Sequence, residues 1–528
     1  MVARLPVLAL LIGWLGLGML LPSLKAALEY DWLAARGFLS SGVVCLFAAA
    51  ALAILFRPHG RHEQSRRELT TLLIAWAVLP CFAALPLVLV TPWIGTLGAW
   101  FEMVAAFTTT GGSVYRDALL VPESVHLWRG LVGWSGGLLT LVSAYAVLAP
   151  RRLGGFEVMS ASELAAEGRA VDLRLPGAPF GNRLSRALRT ILPVYAAMTA
   201  ALALLFNALA EPGLVASVHA MSIVSTSGIT PLPDGLATAR SLPVELIAAV
   251  FLIAAASRFF YAGASQIGRR VDWRTDPELR LMGVLVGLAT VALFLRHWVA
   301  AIESPALGGV HAGLVALWGA AFTSLSFLTT TGFESAAWHA TQDWSGHANP
   351  AMILLALCAI GGGAATTAGG IKLIRAYAML CHAGRELTRI VAPHSVAGTG
   401  LGSRGLRREG AMIAWTFVML FSLGFVAVLM LLTVTGMEFA DALIAATAAL
   451  SNTGPLFAQA AELPGGFARL DGAQRIILAA AMLLGRIETL AAIVLLHPES
   501  WARRLRGPER AGAKRTGKDG AESPLSRW

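Results

Sequence analysis

The chemistry this sequence offers is concentrated in four short stretches: Thr109-Thr110-Gly111-Gly112, Thr226-Ser227-Gly228-Ile229, Thr330-Thr331-Gly332-Phe333 and Asn452-Thr453-Gly454-Pro455. In each, polar side chains lead into a glycine. Glycine lets the backbone aim carbonyl oxygens without a Cβ clash, and Thr or Ser hydroxyls add a further layer of oxygen. A ring of such oxygens replaces the hydration shell of an ion. The chemistry implied is therefore coordination of a dehydrated cation, with no bond made or broken. Motifs for other chemistry are missing from the sequence: it has no HExxH, no nucleophile elbow and no Walker-type phosphate loop. Cys45, Cys81, Cys358 and Cys381 are far apart, with no CxxC and no His partner at metal-ligand spacing, which argues against a disulfide framework or a zinc site.

The central glycines are 117, 104 and 122 residues apart. Each turn follows a short apolar stretch: Gly98 to Thr108, Leu214 to Ser225, Gly313 to Leu328 and Glu438 to Leu450. These stretches of ~11 to 16 residues fall below the ~17 that a spanning helix needs, so they read as re-entrant half-helices. Each aims its partially negative C-terminus at the membrane midplane, which favours cations there. Lipid cannot satisfy the irregular backbone that follows, so the turns must be buried in protein or line a wet cavity. Ten segments are long enough to span: 5–22, 37–56, 69–90, 127–149, 188–210, 242–262, 279–301, 350–378, 411–435 and 474–496. They flank the half-helices in a fourfold repeat of spanning helix, pore half-helix and spanning helix (M1-P-M2). The predicted fold is an all-α polytopic membrane protein with four parallel M1-P-M2 repeats around a pseudo-fourfold pore, plus two N-terminal transmembrane helices. The segments are 1–68 for the N-terminal helices and their loop, 69–187, 188–278, 279–406 and 407–500 for the repeats, and 501–528 for a basic tail.

Composition agrees with this reading. Of 528 residues, 56% are hydrophobic and 14% charged, against roughly 25% charged in soluble domains. The mean hydropathy is +0.67. A net charge of +10 could suggest nucleic acid, but 31 of the 41 Lys and Arg fall in alternate inter-span segments and only 3 in the opposite ones. The positive-inside rule accounts for that asymmetry and places both termini in the cytoplasm. The first apolar run, Leu5 to Leu21, reads as a retained anchor rather than a cleaved signal, because a second span follows with no secreted domain between. Asp117, Asp234 and Glu334 follow the first three turns and fit either a cation-concentrating outer mouth or ordinary solvated loops.

Two further features suit a gate. Gly361-Gly362-Gly363-Ala364-Ala365-Thr366-Thr367-Ala368-Gly369-Gly370 interrupts an apolar span with five glycines, a poor helix and a good loop. Arg486 lies inside the last span, where a charge is expensive unless it faces water or partner carbonyls; pairing with Glu488 or snorkelling is its bland alternative. Lys372 and Arg375 fit either gate elements or inward-end anchors.

At these residues the sequence resembles the Trk/Ktr/HKT superfamily of potassium transporters, in particular its bacterial TrkH-type members with two additional N-terminal helices. The likeness includes the four turns, Trp134-Ser135-Gly136-Gly137, Asp276-Pro277-Glu278-Leu279-Arg280, the stretch from Gly361 to Arg375, and Leu484-Gly485-Arg486-Ile487-Glu488. It implies K+ uptake across the bacterial cytoplasmic (inner) membrane. Gly111, Gly228, Gly332 and Gly454 become the central filter glycines, with Thr110, Ser227, Thr331 and Thr453 beside them. A serine at the first of these glycines accompanies sodium permeation in some members, so four glycines favour potassium. The resemblance also implies that Arg486 contacts the 361–370 loop and obstructs cations as a fixed charge. It further implies a homodimer and a cytoplasmic TrkA-like nucleotide-binding regulatory subunit; the chain itself carries no ATP site and calls for no cofactor. Membrane lipid is the expected contact of the basic tail. Three departures stand out: Ala256-Ser257-Arg258-Phe259-Phe260-Tyr261 replaces a Gly-x-Asn-Phe stretch, Leu456-Phe457 follows Pro455 in place of a glycine, and Ile229 follows Gly228 where Phe is usual.

Two other classes compete with a pore. An ion-coupled secondary transporter, moving K+ or Na+ with Na+ or H+, also uses broken helices, though commonly with inverted repeats, whereas these are parallel. An intramembrane enzyme requires facing aspartates, a His/Glu metal set or a Ser/His pair within the spans, and none is evident.

Overall fold

The computed structural model describes residues 7–55, 64–149, 155–156, 158, 180–209, 211–239, 241–258, 276–301, 310–345, 350–391, 408–460 and 466–487. All regular structure among them is helical. Helices α1 (Val7–Gly18) and α2 (Leu20–Leu28) pack on α3 (Trp32–Leu55). Their backbones approach closely at two glycines: a Cβ on Gly42 would lie 3.0 Å from the Gly16 carbonyl oxygen. Small residues at such crossings are how helices gain packing contact in lipid.

The four repeats follow. The first comprises α4 (Gln64–Val90), the pore helix α5 (Gly95–Phe107) and α6 (Glu123–Ser143), which continues as a π-helical turn over Ala144–Leu148. The second comprises α7 (Phe180–Ala208), the pore helix α8 (Gly213–Ser225) and α9 (Leu242–Ala255). In the third, α10 (Pro277–Ala301) and the pore helix α11 (Val310–Leu328) are followed by a short α12 (Trp338–Ser345), then by a second helix split into α13 (Ala351–Ile360) and α14 (Leu373–Val391). The fourth comprises α15 (Arg408–Val434), the pore helix α16 (Phe439–Leu450), a short α17 (Pro455–Ala460) and α18 (Gly472–Ile487).

The packing closes into a ring. Each pore helix lies against the second helix of the preceding repeat: α8 against α6, α11 against α9, α16 against α13, and α5 against α18 of the last repeat. That cyclic order requires four units around one axis. The outward faces of α3, α7 and α15 are apolar yet largely exposed, with Phe47, Leu204 and Met430 each over 60% accessible. Such surfaces face lipid, and the chain is an integral membrane protein.

Eight helices among the described residues are long and apolar enough to cross a membrane, against ten that the hydropathy predicts. Two predicted spans come out short: residues 242–262 are helical as α9 only to Ala255, and residues 350–378 break after Ile360. The span predicted at 474–496 is helical as α18 through Ile487, and its remainder lies outside the described residues. Conversely, α11 begins at Val310 and reaches spanning length, although its sequence reads as a half-helix. Length alone does not separate the two cases, because a 19-residue helix rises about 28 Å, close to a bilayer core. Its C-terminal turn groups it with the pore helices. The basic tail 501–528, Glu488 and Phe259–Tyr261 lie outside the described residues.

Candidate functional site

All four pore helices end in the same motif. Thr109, Thr226, Thr330 and Asn452 adopt left-handed backbone, with φ of 53°, 51°, 60° and 55°. In the first repeat the Thr109 N–H donates to Ala106 O and the Thr110 N–H to Ala105 O; Thr226/Ser227, Thr330/Thr331 and Asn452/Thr453 repeat both bonds. This is a Schellman termination, which satisfies the last carbonyls of a helix. Glycine usually fills the left-handed position; a β-branched residue there costs on the order of 1–3 kcal/mol. Threonine occupies three of these four strained positions, and asparagine the fourth.

Beyond the strained residue the chains meet in sequence around the axis. A Cβ added to Gly111 would overlap the Ser227 carbonyl oxygen, and one on Gly228 would overlap that of Thr331. One on Gly332 would lie 2.9 Å from Pro455 Cβ, and one on Gly454 would lie 2.6 Å from Thr110 O. So turn one touches two, two touches three, three touches four, and four returns to one. Gly111, Gly228 and Gly332 share a positive φ of 74°, 65° and 79°. The fourth turn differs from the expectation of four equal glycines: Gly454 is not left-handed, because Pro455 restricts the residue before it and starts α17 at once. Its N–H donates instead to Thr110 O at 2.6 Å. Gly112, Thr453 and Ile229 are also at the ring, Ile229 being 1% exposed behind it.

Residues 361–372 lie on the side of this ring where the pore helices end. The loop folds back on itself, with Ile371, Lys372 and Leu373 N–H groups donating to the Ala359, Ile360 and Gly362 carbonyls. Thr226 Oγ1 donates to Thr367 Oγ1 at 3.1 Å, and the Gly369 N–H donates to Thr330 Oγ1 at 2.9 Å. Arg486 completes the set, its Nε donating to Thr108 O at 2.8 Å and its Nη atoms to Thr367 O and Thr109 Oγ1. The strained threonines of repeats one to three therefore hold the loop or its arginine. On the fourth side Gly369 abuts the Ser451 carbonyl, and Asn452 Nδ2 donates to Thr110 Oγ1 and Met482 O. Arg486 reaches the centre because Gly485 allows α18 to lie directly on the Leu450 carbonyl. Its side chain is directed inward, not snorkelling toward water. Thr366 Oγ1 donates to Gly363 O within the loop, while Gly361 and Gly370 bring its two ends together. Lys372 is buried, with Nζ donating to Ala368 O at 2.6 Å; Arg375 is buried under Phe417, its guanidinium 3.7 Å from the ring centroid. Neither is an exposed inward-end anchor.

A family model described as TrkH, cation transport protein, matches residues 35–502. The chain belongs to the TrkH family. Its relatives include the Trk system potassium uptake protein TrkH of Vibrio parahaemolyticus, 28% identical across 94% of this chain and 98% of that protein. The TrkH of Salmonella typhimurium is also 28% identical, across 92% and 95%. TrkG of Escherichia coli K12 is 24% identical across 92% and 96%. The crystal structure of the potassium transporter TrkH from V. parahaemolyticus superposes with a TM-score of 0.79 at 26% identity, covering 95% of this chain and 99% of that one. A TrkH-family fold accounts for the glycines of Trp134-Ser135-Gly136-Gly137: a Cβ on Gly136 would overlap the Phe107 carbonyl oxygen, at the end of the first pore helix.

On the opposite side of the ring, this TrkH-family chain has a vestibule of about 460 Å3 whose floor includes Gly111, Gly228, Gly332 and Gly454. Asp117, Asp234 and Glu334 all line it, together with Arg116 and Arg129. Asp117 also caps its own loop by accepting the Leu119 N–H. Burial, and then the neighbouring Asp234 carboxylate, push Glu334 up to about 7.

Sequence reading missed the charges that brace the ring. Glu102, on α5, accepts Arg129 Nε at 2.6 Å and the Val114 N–H at 2.7 Å, and Arg129 reaches the Thr230 carbonyl of repeat two. Arg258, in the departure from the family pattern, pairs with Asp276 at 3.2 Å and Glu278 at 3.6 Å. Glu278 accepts the Ala364 N–H of the loop at 2.8 Å, and Asp276 caps α10 through the Glu278 and Leu279 N–H groups. The available signal was a lone charge within or beside an apolar run, the same signal that singled out Arg486.

Proposed function

We propose that the chain takes up K+ across the bacterial cytoplasmic membrane, with both termini in the cytoplasm. The four turns form its selectivity filter and the 361–372 loop with Arg486 forms its gate. The observation that carries this reading is the closed ring of four turns with the loop and one buried cation bonded to its inner side. Main-chain oxygens on a fourfold axis suit a monovalent cation, and the C-termini of four helices supply a negative potential there. A guanidinium bonded to both ring and loop repels the same ions. The relatives' names, potassium uptake protein and potassium transporter, support K+ as the ion. A homodimer and a cytoplasmic TrkA-like nucleotide-binding subunit complete the proposal. We assign no catalytic step and no bound cofactor to the chain.

The test is uptake of K+ and Na+ by K+-auxotrophic cells expressing the chain, with and without such a nucleotide-binding partner. Restored growth at low K+, and K+ uptake well above Na+ uptake, are expected; failure in both settings would refute the assignment. A pH dependence follows from the vestibule. Glu334, raised to about 7, is largely neutral at pH 6 and largely charged at pH 8. The mouth therefore gains negative charge as pH rises, and the KM for K+ should fall roughly threefold, the ~0.7 kcal/mol of one charge ~8 Å from an ion at an effective dielectric constant of ~60. Glu334→Gln should flatten that part of the profile; an unaltered profile in the variant removes Glu334 from the ion's path.

A further inference from the structure

We propose that Glu245, at the outer end of α9, is a positioning residue for cation selectivity: it clamps the chain leaving the third turn. The inference rests on reading the turns as a filter, and it adds a determinant outside the filter itself. Glu245 belongs to repeat two, yet among the described residues its carboxylate bonds to three donors of repeat three. Oε2 accepts from Trp318 Nε1 at 2.6 Å and from Ser335 Oγ at 2.7 Å, while Oε1 accepts the Ala336 N–H at 2.7 Å. Trp318 is on the pore helix α11, and Ser335 and Ala336 are the third and fourth residues after Gly332. One buried carboxylate, 3% exposed, thus ties the pore helix of repeat three to its exit strand and ties both to repeat two.

The exit strand is otherwise held from within its own repeat, the Phe333 N–H donating to Ser326 Oγ at 2.7 Å and the Ser335 N–H to Thr323 Oγ1 at 3.3 Å. Those bonds fix the strand relative to α11. Only Glu245, among these, fixes it relative to the neighbouring repeat, and the gap between adjacent turns is the dimension that a coordinating ring must hold. Repeat one has a comparable carboxylate, Glu102 on the Val114 N–H three residues after Gly111, but its own bonds stay within the repeat and it reaches repeat two through Arg129. A carboxylate offers only acceptors, which matches three converging donors. A carboxamide of the same shape would turn an NH2 toward at least one of them and leave a buried donor unsatisfied.

The experiment compares initial K+ and Na+ uptake in K+-auxotrophic cells for the wild-type chain, Glu245→Gln, Trp318→Phe and Ser335→Ala, each normalised to the amount of protein in the membrane. Glu245→Gln is expected to lower the K+ to Na+ uptake ratio about tenfold, with smaller falls for the two variants that each remove one donor. If Glu245→Gln fails to accumulate, the single-donor variants decide. Unchanged ratios per molecule in the accumulating variants, whether or not their amounts drop, overturn the proposal by showing a purely structural contact. A wild-type chain that moves no K+ overturns the filter reading, and the clamp with it. A wild type that selects K+ alongside variants of unchanged ratio overturns the clamp alone.

Discussion

Arg486→Ala should raise resting K+ flux by tenfold to a hundredfold in proteoliposomes. The guanidinium is buried and bonded to Thr108 O, Thr109 Oγ1 and Thr367 O, so it sits where the ring meets the loop. A fixed unit charge ~5 Å from a passing ion opposes it by about 3 kcal/mol at an effective dielectric constant of ~20, roughly two decades of rate, with the helix C-termini offsetting part of that. The variant also frees the loop from the first turn, which adds to the leak. Arg486→Lys keeps the charge but cannot reproduce three donors in a fixed planar fork, so an intermediate flux is expected. Wild-type resting flux in Arg486→Ala, with the protein intact, would remove the arginine from the barrier.

The second large effect is at the ring. In Gly111→Ser a Cβ overlaps the Ser227 carbonyl at a residue with φ of 74°, so neither the side chain nor the backbone has an easy adjustment. The first and second turns must separate. The K+ to Na+ uptake ratio should fall at least tenfold, which corresponds to about 1.4 kcal/mol of lost discrimination. Gly332→Ser meets a proline ring at 2.9 Å in place of a backbone oxygen, and Pro455 has more room to yield, so its loss of selectivity should be smaller. Measured selectivity unchanged in both variants, or a larger loss at Gly332 than at Gly111, contradicts the ring order described above.

The pore helices and their turns were legible because the information is local. A helix end with Thr/Asn-Ser/Thr-Gly punctuation specifies its own Schellman geometry through bonds that span no more than a few residues, and fourfold repetition made the pattern hard to mistake. The break at Gly361 was visible for the same reason. The lengths of α9 and α11 were read less well, since hydropathy reports which residues tolerate lipid and says little about where packing against a neighbouring repeat ends a helix.

By itself the sequence determined a membrane chain of four parallel hairpin units, the sites of the turns, the flexible interruption and Arg486 deep inside the last span, because each is written in hydropathy, glycine content or charge over a short window. Tertiary structure alone decided that the strained Thr226 and Thr330 hold the loop and Thr109 its arginine, that Arg486 also bonds Thr108, 378 positions away, and that Glu245 braces the next repeat. Those contacts depend on the cyclic closure of α5 on α18 and of each pore helix on the repeat before it. Closure is a property of whole packed surfaces, and no short window of residues encodes which distant carbonyl a buried charge will find.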